Sequence, residues 1–211
     1  MTDPATAKLV QSNQKPGTNV TGTSDLAPVN EQIGLIPKLV PGAKTVGLMY
    51  SSSEANSKFQ IELAKKACQS LGLTAVEATV SSTNEIQQVA QSLAGKVQAV
   101  YIPTDNMLAS GMKSVTMVTN QAKIPVIVGE SGPLANGGLA TYGVNFYKLG
   151  YQTAGMAVKD LNGSAKPADM PIEYQKDIDF AFNDEVAKLL GITIPQDLRE
   201  KAAAVSSGVG K

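Results

Sequence analysis

Apolar and polar stretches alternate along the middle of this chain as they do in a repeating strand and helix. Runs rich in Val, Ile, Leu and Tyr predict strands at residues 45–50, 74–80, 99–104 and 125–129. Between them, apolar positions at helical spacing predict helices at residues 31–39, 56–71, 84–94 and 106–122. This alternation implies right-handed crossovers. The middle of the chain is therefore predicted to be an α/β lobe, a doubly wound parallel sheet with helices on both faces.

The two ends of the chain predict shorter and less regular elements. Helices are predicted at residues 5–11, 145–161 and 183–190, strands at 19–22, 137–143 and 177–181, and a crossing strand or linker at 167–171. The strand at 137–143 is entered through the glycine pair Gly137-Gly138, which acts as a hinge. Together the two flanks are too small to form a second independent domain.

Composition narrows the classes of function. The 211 residues are 43% hydrophobic and 17% charged, with 18 basic and 18 acidic side chains, so no charge excess indicates nucleic acid or a membrane surface. The chain has no histidine, which removes the usual general base and histidine metal sites. Its single arginine, Arg199, disfavours a phosphate clamp. The single cysteine, Cys68, is predicted to be a buried structural thiol.

Small polar residues follow three predicted strands, at residues 51–57, 104–106 and 129–131. The carboxyl ends of parallel strands meet at one edge, so the three turns converge. In the first turn, Ser53, Asn56 and Ser57 are either helix caps or ligands of a carboxylate or phosphate, because unpaired N–H groups at a helix start suit an anion. One small molecule held by several loops is the simplest interpretation.

The other two turns offer partners for an ammonium group. Thr104, Asp105 and Asn106 either cap the next helix or hold an α-amino group with an acceptor and an amide. Glu130 either pairs with the same ammonium or is solvated. Tyr142, just after the glycine hinge, either stacks on an aromatic ligand or packs between lobes, with packing favoured.

Several short segments, in order and over nearly the whole chain, resemble the substrate-binding proteins of one ABC transporter family. They are residues 19–25 (NVTGTSD), 46–50 (VGLMY), 53–57 (SEANS), 100–106 (VYIPTDN), 123–126 (KIPV), 139–144 (LATYGV), 149–150 (LG) and 191–195 (GITIP). Members of the family are two-lobed periplasmic or lipid-anchored receptors, and its better-known members carry tryptophan, tyrosine or phenylalanine. Ser52 departs from the pattern, since relatives tend to have proline there.

The resemblance implies a type I periplasmic-binding-protein-like fold with one complete C-terminal lobe and an incomplete N-terminal lobe. Relatives carry a leader and most of the N-terminal lobe before the Thr2-Asp3-Pro4 motif, so the chain is expected to be truncated at its N-terminus. The implied division is residues 1–28 as a remnant of the N-terminal lobe, 29–136 as the C-terminal lobe, 137–172 as a return segment of the N-terminal lobe, 173–205 as a closing segment of the C-terminal lobe, and 206–211 as a flexible tail.

The resemblance also implies a function. The chain would be the solute-binding component of an ABC importer, a non-enzyme without cofactor or metal, at the periplasmic or extracellular face of the membrane. It would capture an amino-acid-like ligand, preferably aromatic, between two closing lobes and deliver it to a membrane permease. The expected ligand-binding residues are Thr2, Asp3, Tyr50, Ser53, Glu54, Ala55, Asn56, Ser57, Thr104, Asp105, Asn106, Gly129, Glu130 and Tyr142.

Two other classes of protein remain as alternatives. An enzyme on the same sheet is disfavoured by the absence of histidine and of a glycine-rich phosphate loop after the strand at residues 45–50. The effector-binding core of a regulator shares this fold by analogy. It would need a DNA-binding headpiece, and the first residues are neither basic nor typical of a helix-turn-helix.

Overall fold

The computed structural model describes residues 1–175 and 178–202. The strands are β1 (Thr23–Ser24), β2 (Thr45–Ser51), β3 (Thr74–Val80), β4 (Ala99–Ile102), β5 (Val126–Val128), β6 (Ala140–Gly143), β7 (Glu173–Tyr174) and β8 (Asp179–Phe182). The helices are α1 (Val29–Leu39), α2 (Ala55–Ser70), α3 (Ile86–Leu93), α4 (Asn106–Ser110), α5 (Met112–Gln121), α6 (Phe146–Leu161), α7 (Asp184–Leu190) and α8 (Gln196–Lys201). Among the described residues, no helix combines the length and the apolar character needed to cross a membrane.

The chain forms two compact units. Unit 1 contains Met1–Leu26 and Val144–Ile178, and Unit 2 contains Ala27–Gly143 and the chain from Asp179 onward. The predicted boundary at 137 precedes β6, which stays in Unit 2 because it pairs with β5 and β8. The predicted boundary at 173 precedes β7, which stays in Unit 1 because it pairs with β1. The predicted tail at 206–211 and Asp177, the start of a predicted strand, lie outside the described residues.

Unit 2 is built on a six-stranded sheet with the order β3-β2-β4-β5-β6-β8. Its first five strands are parallel, and β8 runs antiparallel to β6. The doubly wound parallel sheet predicted from the sequence is confirmed, and the antiparallel edge strand β8 is an addition to it. Tyr50, Thr104 and Gly129 lie at the carboxyl ends of three neighbouring strands, as predicted.

Two apolar clusters cover the two faces of this sheet. One face packs against α1, α2, α7 and α8, and the other against α3, α4 and α5. On β2, Leu48 joins the first cluster and Met49 the second, because successive side chains of a strand point to opposite faces. All four residues of β4 are buried, as expected for a central parallel strand covered on both faces.

Cys68 belongs to the first of these clusters and is fully buried. Burial raises the pKa of its thiol to about 11. The prediction of a structural thiol is confirmed, since a buried thiol that keeps its proton is a poor nucleophile.

Two predicted elements of Unit 2 differ in the structure. The helix predicted at 106–122 is broken at Gly111 into α4 and α5. A Cβ at Gly111 would clash with the Ile86 side chain, so the break brings the backbone close to α3. The strand predicted at 137–143 begins only at Ala140, after a 3-10 turn at Gly132–Asn136 that ends in the left-handed Gly137. The helix α8 was not predicted.

Unit 1 contains the two-stranded parallel sheet of β1 and β7, and α6. The Oγ1 atoms of Thr23 and Thr153 lie 2.6 Å apart and join β1 to α6. The predicted helix at 5–11 is wrong, because Lys8 has a left-handed backbone and the segment forms turns. The strand predicted at 19–22 lies instead at Thr23–Ser24, and the segment predicted at 167–171 begins as a 3-10 turn.

Candidate functional site

Glu54 ties the turn after β2 to the start of α4. Its Oε2 accepts hydrogen bonds from Asn106 N (3.1 Å), Asn106 Nδ2 (2.8 Å) and Asn56 Nδ2 (3.3 Å), and its Oε1 accepts one from Met107 N (2.9 Å). In the strand order β3-β2-β4, the chain passes from β2 to β3 on one side and then crosses back to β4 on the other side of β2. These two turns therefore flank the topological switch point, where ligands of open parallel sheets bind.

Asp105 lies beneath this contact as a buried cap. Only 1% of its surface is exposed. Its Oδ1 accepts a hydrogen bond from Leu108 N (2.9 Å), and its Oδ2 accepts bonds from Ser51 N (2.7 Å) and Ser57 Oγ (2.8 Å). Burial raises the pKa of Asp105, and these hydrogen bonds only partly offset that effect. The structure shows the capping role for Asp105, at the start of α4. Ser57 does not cap α2, because its hydroxyl donates to Asp105 instead. Contact of either side chain with a ligand stays a prediction that would require these bonds to open.

The first turn of α2, by contrast, has no side-chain cap. Its N-cap position is Glu54, whose carboxylate is directed to α4 instead. The Ser53 side chain is exposed at this point, with its Oγ 2.9 Å from Ser51 Oγ, and Asn56 Nδ2 donates to Thr104 O at 2.9 Å. The first N–H groups of a helix have no partner within the helix, and the helix dipole favours negative charge there. This end of α2, with Ala55 in its first turn, can accept an anion.

Gly129 brings the turn after β5 against the turn after β4. Gly129 N donates to Ile102 O at 2.8 Å. A Cβ at this position would press on Thr104 N and lie 2.5 Å from Pro103 C, so only glycine permits the approach. Glu130 follows directly and is half-buried. Sequence reasoning placed Thr104, Gly129 and Glu130 at one edge, and the structure brings them together, but their contact with a ligand stays a prediction.

The two predicted tyrosines both have protein partners. Tyr50 Oη donates to Glu77 Oε2 at 2.8 Å, and burial together with Glu77 raises the Tyr50 pKa. The Tyr142 ring packs on Phe180 with centroids 5.1 Å apart, and burial raises the Tyr142 pKa as well. For Tyr142 this packing lies within Unit 2, whereas packing between lobes stays a prediction. A ligand contact by either ring stays a prediction.

Thr2 and Asp3 lie in Unit 1, within a hydrogen-bonded loop. Thr2 is buried and its Oγ1 donates to Asp25 Oδ1 at 2.8 Å. Asp3 accepts bonds from Thr6 N (2.7 Å) and Asn13 Nδ2 (2.8 Å). Partial burial opposes ionisation of Asp3, but the hydrogen bonds outweigh it and lower the pKa. Their role toward a ligand stays a prediction.

Two buried glutamines at the same edge were missed by sequence reasoning. Gln60 on α2 makes two hydrogen bonds to the backbone of Thr104. Its Oε1 accepts one from Thr104 N and its Nε2 donates one to Thr104 O, both at 3.3 Å. Gln32 on α1 contacts the ends of β5 and β6. A glutamine on the apolar face of an amphipathic helix was the available signal. Among the described residues, no cluster of three acidic or cysteine side chains could hold a metal ion.

Neutralising Glu54 should destabilise the protein in a pH-dependent way. Partial burial opposes ionisation of Glu54, but the bonds from Met107, Asn106 and Asn56 outweigh it and lower the pKa. The stabilising contribution is therefore complete above the usual value of 4.5 and is lost as pH falls through the lowered pKa. Urea unfolding of Glu54→Gln at pH 7 should show a loss of about 1 kcal/mol, which shrinks toward pH 3.

The control for that experiment is Glu62→Gln, on the exposed side of α2. Glu62 pairs with Lys65 at 2.7 Å, with 64% of the Glu62 side chain exposed. Exposed pairs of this kind contribute little, so its loss should be at most about 0.5 kcal/mol. A Glu54→Gln loss that stays constant from pH 7 to pH 3 would contradict the role assigned to the carboxylate.

Comparison with known proteins identifies relatives of the whole described fold. The sequence model of the family described as ABC transporter substrate binding protein matches residues 1–206. A tyrosine-binding protein of Clostridioides difficile is 37% identical over 190 residues, which cover 90% of this chain and 55% of that protein. The chain thus spans about half the length of the curated relatives it matches.

Solved structures agree with this relationship. A domain from Streptococcus pneumoniae in complex with L-Trp is 40% identical, with a TM-score of 0.88 over 96% of this chain and 68% of that one. A substrate-binding protein with adhesive properties from Clostridium difficile, in a ligand-free, open structure, is 43% identical, with a TM-score of 0.79 over 95% of this chain and 67% of that one. The predicted periplasmic-binding-protein-like fold is confirmed.

Proposed function

Since this chain belongs to the family of ABC transporter substrate-binding proteins, we propose that it captures an aromatic amino acid and serves as the solute-binding component of an importer. One relative is named a tyrosine-binding protein, and another was solved with L-Trp. The proposal includes delivery of the ligand to a membrane permease, at the periplasmic or extracellular face of the membrane. We also propose that the protein only binds its ligand and does not catalyse a reaction.

The observation that carries this proposal is the uncapped N-terminus of α2 at the switch point. An amino acid presents a carboxylate, and the first turn of α2 offers N–H groups and the positive end of a 16-residue helix. The Ser53 hydroxyl lies beside this turn and is exposed. We assign the ligand carboxylate to this position, with the Ser53 hydroxyl as a side-chain donor. Asn56 Nδ2 becomes a second donor when its bond to Glu54 Oε2 or to Thr104 O opens.

The ammonium group of the ligand fits the acidic part of the same edge. Glu54 stays ionised because its pKa is lowered, and Glu130 adds a second carboxylate at the end of β5. The charges of a zwitterion are thus matched within one edge of Unit 2. This arrangement accounts for recognition of an amino acid, whereas the preference for an aromatic side chain comes from the relatives.

A thermal-shift screen tests the proposal directly. A ligand that binds only the native state stabilises it by about 2.7 kcal/mol at a hundred times its Kd. Among the twenty amino acids and common sugars, L-tyrosine, L-tryptophan and L-phenylalanine should raise the Tm of this chain most. Stabilisation by sugars alone would contradict an amino-acid receptor, and turnover of any stabilising compound would indicate an enzyme.

Removing the two side-chain donors should weaken binding without abolishing it. The double variant Ser53→Ala/Asn56→Ala should lose about 1 to 3 kcal/mol of binding free energy for L-tyrosine, the range for hydrogen bonds to a charged group. Calorimetry on the folded variant measures this loss. The control is Ser70→Ala, at the opposite end of α2, where Ser70 Oγ donates to Lys66 O at 3.0 Å. Equal affinities for wild type and double variant would place the carboxylate elsewhere.

A further inference from the structure

The carboxyl ends of β5 and β6 are held together by very little backbone pairing. The two strands share one register position, Ile127 opposite Ala140. One more hydrogen bond, from Leu139 N to Val126 O at 2.8 Å, lies on the amino side of that position. From Ala140 to Gly143, β6 pairs with the antiparallel strand β8 over four residue pairs, whereas its pairing with β5 ends at Ala140. At Gly129 and Tyr142, the backbones of β5 and β6 are therefore no longer paired with each other.

The Gln32 side chain occupies this gap. It is fully buried, and its Nε2 donates to Gly129 O (3.1 Å) and to Tyr142 O (2.6 Å). One amide group thus donates to two carbonyl oxygens, one at the end of each strand. Without it, each of these oxygens would need a separate donor. Buried carbonyls without a donor are costly, so the bridge also satisfies both strand ends.

Tyr101 fixes the orientation of this amide. Its Oη donates to Gln32 Oε1 at 2.7 Å, and both groups are buried. Burial raises the pKa of Tyr101, so the hydroxyl keeps its proton and remains a donor. If the amide were turned over, its oxygen would face the carbonyls of Gly129 and Tyr142, an arrangement of acceptors alone. The three contacts therefore specify one orientation.

The bridge lies directly behind the candidate site. Gly129 abuts the backbone of Thr104, and a Cβ on Gly143 would lie 3.5 Å from Ser131 N, so the turn after β5 is packed between the ends of β4 and β6. The separation of Gly129 and Tyr142 consequently determines where Glu130 stands. We propose that Gln32, oriented by Tyr101, is a positioning residue that sets the width of the ligand-binding edge. This inference rests on the function proposed above.

The experiment compares Gln32→Met with the same substitution of a glutamine at the opposite edge of the sheet. Gln98 is exposed, and its Oε1 accepts hydrogen bonds from Lys44 N (3.0 Å) and Thr45 N (2.8 Å), so Gln98→Met removes side-chain bonds to the backbone at the amino ends of the strands. Both variants should lose stability. Calorimetry with L-tyrosine should show about tenfold weaker binding for Gln32→Met, the factor expected when the displaced edge loses one hydrogen bond to the ligand. Binding should be unchanged for Gln98→Met.

Two further measurements separate this inference from the proposed function. Tyr101→Phe keeps the ring and removes only the donor, so it should fold and weaken L-tyrosine binding less than Gln32→Met does. Amide hydrogen exchange needs no ligand: residues 129–131 and 142–143 should exchange faster in Gln32→Met than in Gln98→Met. If wild type fails to bind L-tyrosine, the proposed function is wrong. The exchange pattern alone then tests whether Gln32 positions the ends of β5 and β6. Matching exchange patterns and affinities in the two methionine variants would overturn the inference.

Discussion

Replacing Gly129 by alanine should lower the free energy of unfolding by about 3 kcal/mol, the upper part of the range for overpacking a tight interior. The added methyl group would meet backbone atoms, Thr104 N and Pro103 C, rather than the end of a flexible side chain. Relief therefore requires β5 to move away from β4, which would also strain the bond from Gly129 N to Ile102 O. Urea unfolding monitored by circular dichroism measures the loss.

Gly132→Ala is the matched control for that substitution. Gly132 lies three residues further along the same segment, and a Cβ there meets nothing within 4 Å. Its effect should be within about 0.5 kcal/mol of zero, as for most surface substitutions. Similar losses at the two glycines would show that the close approach of β4 and β5 is not what Gly129 provides.

Asp105→Ala should cost about 3 kcal/mol or more, because each buried donor left without an acceptor costs about 1 to 3 kcal/mol. The substitution removes the acceptor of Leu108 N, Ser51 N and Ser57 Oγ together. Asp105→Asn keeps one oxygen and should lie between wild type and Asp105→Ala. If Asp105→Ala unfolds at the same urea concentration as wild type, the carboxylate does not hold these turns.

The pH profile of Asp105 has the opposite sign to that of Glu54. Burial raises the Asp105 pKa above its usual 3.8, so the stability it contributes is complete below 3.8 and is lost as pH rises through the raised value. The advantage of wild type over Asp105→Asn should therefore decrease from pH 3.5 toward neutral pH. Urea unfolding measured across pH therefore distinguishes the two carboxylates, because their contributions to stability change with pH in opposite directions.

The sheet of Unit 2 could be predicted from the sequence because its signal is local and repeated. The strands β2, β4 and β5 are short apolar runs followed by polar residues, whereas the edge strand β3 alternates apolar and polar residues. Each crossover helix has its own apolar stripe. Parallel topology follows from this alternation by general rules of connection. The shared edge of Tyr50, Thr104 and Gly129 follows from the same rules.

What could not be predicted depends on contacts between segments distant in sequence. The helix break at Gly111 depends on its packing against Ile86, and Lys8 adopts a left-handed backbone that no periodic pattern signals. In the sequence, Gln32 is a polar residue on an otherwise apolar helix face. Its role is visible only in the structure, where it donates to the carbonyls of Gly129 and Tyr142. Likewise, the sequence left Asp105 open between capping and binding, because three donors from two different turns decide how its carboxylate is used.

The central claim is that an aromatic amino acid binds at the carboxyl-end edge of the sheet in Unit 2. Backbone amide chemical shifts, followed by nuclear magnetic resonance while L-tyrosine is added to this 211-residue chain, test it most directly. The account predicts that the largest shifts fall on residues 53–57, 104–106 and 129–131, and that D-ribose produces none. Largest shifts at the amino ends of the strands, or no shifts with L-tyrosine, L-tryptophan or L-phenylalanine, would contradict it.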